Sequence, residues 1–245
     1  MTNETYGITA EACLAEVYGI PHNIPELNRT RIDDEIKETM RPVFEQFRED
    51  NPGVVIESSE GFMNGKVDFR VVGDKTLSLK TLMKKDGKIC PQGGQPTYMS
   101  FHSDNHFPEC SVPAADLSRE ESNTLRFNWM KDNIGLYLNK MYENTFCCDF
   151  LVLMSNCKTN PSVEILIKKH VDFKKENISF TKDTYDEKVD ETKKGGRCEF
   201  SSEPLMKLES GEIVKIGEIQ FHFKHEARGR DVIKFRFHKK FLQII

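Results

Sequence analysis

VDFRVVGDKTLSLKT, residues 67–81, is the most informative stretch of the sequence. Apolar and polar side chains alternate on both sides of Gly73-Asp74. This period of two predicts β-strands at 66–72 and 75–81, joined by a tight turn into a hairpin.

Three side chains of this hairpin suggest chemistry. Alternation places Ser78 and Lys80 on one face of the second strand, and the turn folds that face back beside Asp68. A carboxylate in this place can hold a hard divalent cation such as Mg²⁺, while an ammonium group orients water and stabilises charge at phosphorus. The simplest alternative is a surface ion pair, which contributes about 0–1 kcal/mol to stability.

The remaining sequence predicts an α/β fold with a mixed central β-sheet flanked by helices and a C-terminal β-hairpin extension. We expect a single domain over 1–245, with its core at about 5–170 and a basic β element at about 211–245. Pro42 is expected to kink or break the second helix. Helices are predicted at 5–18, 33–47 and 118–143, and further strands at 54–57, 145–154, 163–167, 213–216, 218–224 and 232–237.

The composition is that of an ordinary globular chain. The 245 residues are 38% hydrophobic and 30% charged, which excludes disorder as the default state. No stretch approaches the roughly 18 apolar residues that span a bilayer, and the first residues do not form a signal peptide, so we expect neither a membrane partner nor export. Seven cysteines, an odd number without regular spacing, predict reduced thiols and a cytoplasmic location.

The hairpin motif resembles that of the PD-(D/E)XK nuclease superfamily. In that family an acidic residue precedes acid-X-Lys on the following strand, and here Asp68 is followed by Ser78-Leu79-Lys80. Ser78 departs from the pattern, because it stands where the family usually has Glu or Asp. The resemblance implies that Asp68 binds Mg²⁺ and that Lys80 activates water. It also implies that Ser78 belongs to the catalytic group.

Two neighbouring segments extend the resemblance, together with the order of elements over 5–155. Residues 7–18 are similar to the first helix of such nucleases, which implies that Glu11 is a further catalytic carboxyl and metal ligand. Gln92 and Gln95 follow the lysine strand, where relatives place a glutamine that contacts phosphate or the attacking water. The resemblance implies a catalytic role for Gln95 and a DNA contact for Gln92, although the sequence does not decide between the two.

The C-terminal strands indicate which class of nuclease the chain resembles. The net charge is −4, which is unlike many nucleic-acid binders, but residues 215–245 are locally basic. They resemble the closing strands of type II restriction endonucleases. The resemblance implies a site-specific endonuclease that hydrolyses double-stranded DNA with Mg²⁺ as cofactor, and a homodimer for cutting a palindrome. The DNA-binding candidates in these strands are Lys224, Arg228, Arg230, Lys234 and Arg236.

Three alternatives remain open at this point. The first is a repair or junction-resolving nuclease of the same fold. The second is a catalytically inactive DNA-binding module, and the serine at position 78 in place of an acid favours it. A structural zinc site at His102, His106 and Cys110 is a third hypothesis, and loop residues without a metal are the preferred interpretation there.

Overall fold

The computed structural model describes residues 3–60, 67–92, 96, 100–110, 117–190, 197–224 and 232–245. The chain forms two compact units, Met1–Gln92 with Phe146–Lys169, and Gly93–Thr145 with His170–Ile245. The expectation of a single domain over 1–245 stays a prediction. Within the described ranges, no helix is long and apolar enough to cross a bilayer.

The first unit is a mixed β-sheet with helices packed against it. The sheet has the strand order β1-β2-β3-β5-β6, in which β3 and β5 run parallel and the other neighbours antiparallel. The predicted α/β class with a mixed central sheet is therefore confirmed. Its elements are α1 (Asn3–Val17), α2 (Glu26–Arg29), α3 (Asp34–Asp50), β1 (Ile56–Ser59), β2 (Phe69–Val71), β3 (Lys75–Thr81), β4 (Lys88–Ile89), β5 (Phe150–Ser155) and β6 (Ser162–Ile167).

The predicted hairpin is formed by β2 and β3, which pair from Phe69↔Leu77 to Val71↔Lys75. Gly73 and Asp74 have φ values of 84° and 56°. Because Val71 pairs with Lys75, three residues, 72–74, connect the two strands, which is a common loop length for a hairpin. This turn fixes the register that places residue 68 alongside β3.

Helices α1 and α3 form the core of the first unit together with the sheet. Apolar side chains of α1 such as Leu14 pack in one cluster with Phe44 of α3 and with Leu77 and Leu79 of β3. Pro42 lies inside α3 without dividing it, so the expected break does not occur. Proline removes one backbone hydrogen bond of α3, and packing of the buried face of this helix compensates for that loss.

The apolar strand β5 lies in the middle of the sheet, as the sequence predicts. Residues 151–154 are fully buried, because β5 has a strand on each side and covered faces. Just before it, Asp149 is attached to the start of β3. Its Oδ2 accepts hydrogen bonds from the backbone N and the Oγ1 of Thr76, at 2.7 and 2.8 Å.

The second unit contains the remaining elements. Strands β13, β12, β9 and β8 lie side by side and antiparallel, and β11, β10 and β7 form a three-stranded antiparallel sheet. The predicted pairing of the last two long strands is confirmed, and their connecting tip lies outside the described residues. The elements are α4 (Arg119–Asp132), α5 (Ile134–Thr145), a 3₁₀ turn (Lys175–Asn177), β7 (Ile178–Phe180), β8 (Lys188–Asp190), β9 (Arg197–Ser202), β10 (Pro204–Lys207), β11 (Ile213–Lys215), β12 (Gly217–Lys224), β13 (Val232–His238) and α6 (Lys239–Ile244).

The sequence predicts one helix over 118–143, and the structure has two, α4 and α5. Ser118 and Glu121 form a capping box at the start of α4. Asn133 ends α4, since its backbone N and its Nδ2 both donate to the carbonyl of Trp129 at 2.9 Å. A side-chain amide that caps its own helix in this way competes with continuation of the helix.

Candidate active site

Asp68 is tied to β3 by backbone and side chain. Its N–H donates to the carbonyl of Leu77 at 3.1 Å, and its Oδ2 accepts from the backbone N–H of Leu79 at 2.7 Å. These bonds hold the carboxylate beside the strand that carries Ser78 and Lys80. The hairpin therefore brings the three predicted residues together.

Ser78 and Lys80 both act on this carboxyl group. Ser78 is fully buried, and its hydroxyl hydrogen-bonds to Asp68. Burial raises the pKa of Asp68, while the Lys80 charge, the Leu79 N–H and the Ser78 hydroxyl act in the opposite direction. The net effect is a raised pKa, because desolvation of the carboxylate is the largest contribution.

Glu11 of α1 belongs to the same electrostatic site. Burial and the neighbouring Asp68 charge raise the pKa of Glu11 to about 8, and the Lys80 charge partly opposes them. Helix α1 reaches this place because it packs closely on β3, where a Cβ at Gly7 would lie 3.7 Å from Oγ1 of Thr81. Two half-buried carboxyl groups that repel one another are favourable only if a proton or a cation balances one of the charges.

The donor set fits a magnesium ion bound together with substrate. Mg²⁺ usually keeps several waters and takes one or two protein carboxylates plus phosphate oxygens. Glu11 and Asp68 supply that number. Within the described residues there is no group of three or more His, Cys, Asp or Glu side chains arranged to hold a metal ion.

Cys148 also lies beside this site. Its thiol is buried, it hydrogen-bonds with Ser78, and the nearby Asp68 charge raises its pKa further. Its Sγ lies 3.5 Å from Nε2 of Gln92. The sequence carries no motif for this contact, because it joins segments 56 residues apart. Gln92 thus reaches the site through Cys148, whereas Gln95 lies outside the described residues.

The basic C-terminal candidates fall into three groups. Lys234 and Arg236 alternate on β13 with buried phenylalanines, so both lie on its half-exposed face. Arg236 is ion-paired with Glu218. Lys224 ends β12, and its side chain is not described; Arg228 and Arg230 lie outside the described residues.

His102, His106 and Cys110 lie in turns, and His102 is engaged by protein groups. Its Nδ1 lies 2.6 Å from the carbonyl of Cys110, and its Nε2 accepts from Nε of Arg126 at 3.1 Å. This pattern puts the ring proton on Nδ1 and leaves the imidazole neutral. Burial, and then the Arg126 charge, lower the pKa of His102. Both ring nitrogens therefore have partners other than a metal.

Comparisons with known proteins give no relative. No family model, no curated protein and no solved structure matches the chain.

Proposed function

We propose that this protein is an Mg²⁺-dependent endonuclease of the PD-(D/E)XK type that cleaves double-stranded DNA at specific sites. The observation that carries the proposal is the convergence of Asp68, Lys80 and Glu11 around one hairpin of a mixed sheet. Two carboxyl groups and an ammonium group are the side chains that metal-assisted phosphodiester hydrolysis requires.

The fold supports the same proposal. In chain order, α1, α2 and α3 come before the antiparallel strands β1, β2 and β3, then β4, α4 and α5 follow, and β5 pairs parallel to β3. Apart from the additional α2, α3 and β4 and the divided long helix, this order resembles the one expected of the superfamily core. Asp68 directly precedes β2, and Lys80 lies on β3. An ordinary surface ion pair on a hairpin would not require a half-buried Glu11 beside it.

In the proposed reaction each residue has a separate task. Asp68, held by the Leu79 N–H, presents a fixed carboxylate to the cation. Glu11 holds a proton at neutral pH and releases it when a cation occupies the site. When bound, Mg²⁺ polarises a phosphoryl oxygen and makes a coordinated water more acidic. Lys80 orients the attacking water and stabilises negative charge at phosphorus.

The test is cleavage of supercoiled plasmid with and without Mg²⁺. We expect discrete fragments with the wild type and no cleavage, but retained DNA binding, with Lys80→Ala. Lys75→Ala is the matched control, because Lys75 lies on the same strand over the ring of Phe150, and it should cleave normally. Full cleavage by Lys80→Ala would remove this lysine from the mechanism.

Asp68→Asn tests the metal ligand. It should lower the rate of Mg²⁺-dependent cleavage by more than about a hundredfold, because an amide binds Mg²⁺ far more weakly than a carboxylate. Asp74→Asn is its control, since asparagine tolerates the left-handed backbone of the turn. An unchanged magnesium titration curve for Asp68→Asn would contradict the assignment.

A second candidate function is a DNA-binding module without catalysis. It is favoured by Ser78, which replaces a carboxylate and hydrogen-bonds to Asp68. Intact plasmid at all Mg²⁺ concentrations, together with retained DNA binding, would identify this function. Cleavage of branched but not linear duplexes would identify a repair or junction-resolving nuclease instead.

A further inference from the structure

Arg70 lies beside the candidate active site, on the face of the sheet that carries it. Asp68 directly precedes β2 and Arg70 is the middle residue of this strand, so the alternation of the strand puts both side chains on one face. Phe69 and Val71, on the other face, are buried in the core, whereas Arg70 is exposed. The guanidinium therefore leaves the sheet on the same side as the Asp68 carboxylate.

Glu60 holds the Arg70 guanidinium in place. The backbone N–H of Glu60 donates to the carbonyl of Asp68 at 2.8 Å, which places Glu60 across the strand pair from Asp68. Its Oε1 accepts from Nε of Arg70 at 3.1 Å. The Arg70 side chain is 52% exposed and that of Glu60 40%, so solvent screens this ion pair and it contributes little to stability by itself.

The contact with Glu60 uses only one edge of the guanidinium. An arginine presents five N–H donors, and Nε carries one of them. Among the residues that the structure describes, Glu60 is the only group that hydrogen-bonds to Arg70, and it does so through Nε. The N–H groups on Nη1 and Nη2 therefore remain for a ligand, and their planar arrangement matches two oxygens of a phosphate.

We propose that Arg70 binds a DNA phosphate next to the scissile one, with Glu60 positioning its guanidinium. The inference rests on the proposed function, in which Asp68 binds the cation at the phosphate that is cleaved. Residues two apart on a strand are separated by about 6.8 Å, and neighbouring phosphates of one DNA strand lie a similar distance apart. The Arg70 charge also reduces the repulsion between the phosphate backbone and the carboxylates of the site.

The salt dependence of DNA binding tests this contact without any cleavage. In EDTA, Arg70→Ala should weaken binding of a labelled duplex at least about tenfold, the value of a hydrogen bond to a charged group, and reduce the slope of log K against log salt by about 1. Arg70→Lys should keep the slope, because it keeps the charge, but lose part of the affinity, because an ammonium group does not match two oxygens in one plane. Thermal unfolding shows that the variants are folded.

Arg41→Ala is the matched control. Arg41 of α3 is also ion-paired, with Glu16 at 2.8 Å, but α3 packs on the opposite face of the hairpin, against Leu77 and Leu79. It should bind DNA like the wild type. An unchanged affinity and slope for Arg70→Ala, or an equal change for Arg41→Ala, would show that the inference is wrong, while the nuclease proposal stands. A wild type that does not bind or does not cleave duplex DNA would overturn the proposed function, and the inference with it.

Duplexes that carry a single neutral methylphosphonate locate the contact. After the cut position has been mapped with the wild type, the replaced phosphate is moved along the cleaved strand one position at a time. At one of the two phosphates adjacent to the scissile one, the replacement should weaken wild-type binding about tenfold. It should have no further effect on Arg70→Ala, because both changes remove the same contact. Additive losses at both positions would overturn the inference, even if Arg70→Ala binds DNA less tightly.

Discussion

The folded first unit disfavours the charged forms of Glu11 and Asp68. Both carboxyl groups have raised pKa values, first because of burial and then, for Glu11, because of the Asp68 charge. Evolution usually retains such unfavourable groups where they bind or react. At the scale of single residues, we therefore expect that removing one of these carboxyl groups stabilises the metal-free protein and weakens metal binding.

Glu11→Gln should stabilise the metal-free protein at alkaline pH. The pKa of Glu11 is about 8 in the folded protein against 4.5 without its surroundings, so between these values the folded state binds more protons. The unfolding free energy of the wild type then falls as pH rises through this window, by on the order of 1 kcal/mol per pH unit. Glu11→Gln should flatten this dependence, measured by urea unfolding in EDTA from pH 5 to pH 9.

Glu16→Gln, on the same helix, is the matched control with the opposite sign. Burial raises the pKa of Glu16, but hydrogen bonds from Arg41 and Lys37 outweigh it and lower the pKa overall. The ionised Glu16 therefore stabilises the fold at any pH above the ordinary pKa of a glutamate. This contribution is lost as the pH falls through the lowered pKa. A wild-type stability that does not fall between pH 5 and pH 8, or a Glu11→Gln variant less stable than wild type at pH 8, would contradict the raised pKa.

At the scale of elements, the sequence predicts an element correctly where residues close together in the chain stabilise it. Gly73-Asp74 and the alternating segments beside it predict the hairpin, and both residues have positive φ within the observed connection 72–74. The division of the long helix into α4 and α5 depends instead on a side chain, Asn133, that caps its own backbone. Sequence periodicity does not register such a cap within an otherwise continuous apolar pattern.

Helix α5 also depends on a close backbone approach at its second residue. A Cβ at Gly135 would lie 2.5 Å from the carbonyl oxygen of Phe173. Gly135→Ala should therefore lower the unfolding free energy by about 1–3 kcal/mol, although alanine is the better helix former by about 1 kcal/mol. Gly53→Ala, where a Cβ would meet nothing, is the control. Equal denaturation midpoints for the two variants would show that the chain relaxes around residue 135.

At the scale of the whole molecule, acidic and basic residues are concentrated in different segments of the chain. The first unit carries the candidate active site and the acidic face of α3, while the second carries the basic C-terminal strands. A net charge of −4 therefore does not describe the surface that would meet a phosphate backbone. Under the proposed function, that surface includes the half-exposed face of β13.

Lys234→Ala should weaken DNA binding and reduce its dependence on salt. Lys234 lies on this face opposite Gln220, without a carboxylate directly across the strand pair. Loss of one phosphate contact reduces the slope of log K against log salt by about 1. Lys175→Ala is the control, because Lys175 is already ion-paired with Asp132. Fluorescence anisotropy with a labelled duplex at several salt concentrations measures both. An unchanged slope would exclude Lys234 from the DNA interface.

The amino-acid sequence alone determined the α/β class, the hairpin and the proximity of Asp68 to Lys80, because period, turn residues and strand register act over a few residues. Only the tertiary structure decided which residues from distant segments of the chain lie beside this pair. Helix α1 carries Glu11 to β3, and the attachment of Asp149 to Thr76 places Cys148 between Gln92 and Ser78. Desolvation of these groups exists only once the chain has closed around them, since a pKa responds to the surroundings of the folded protein.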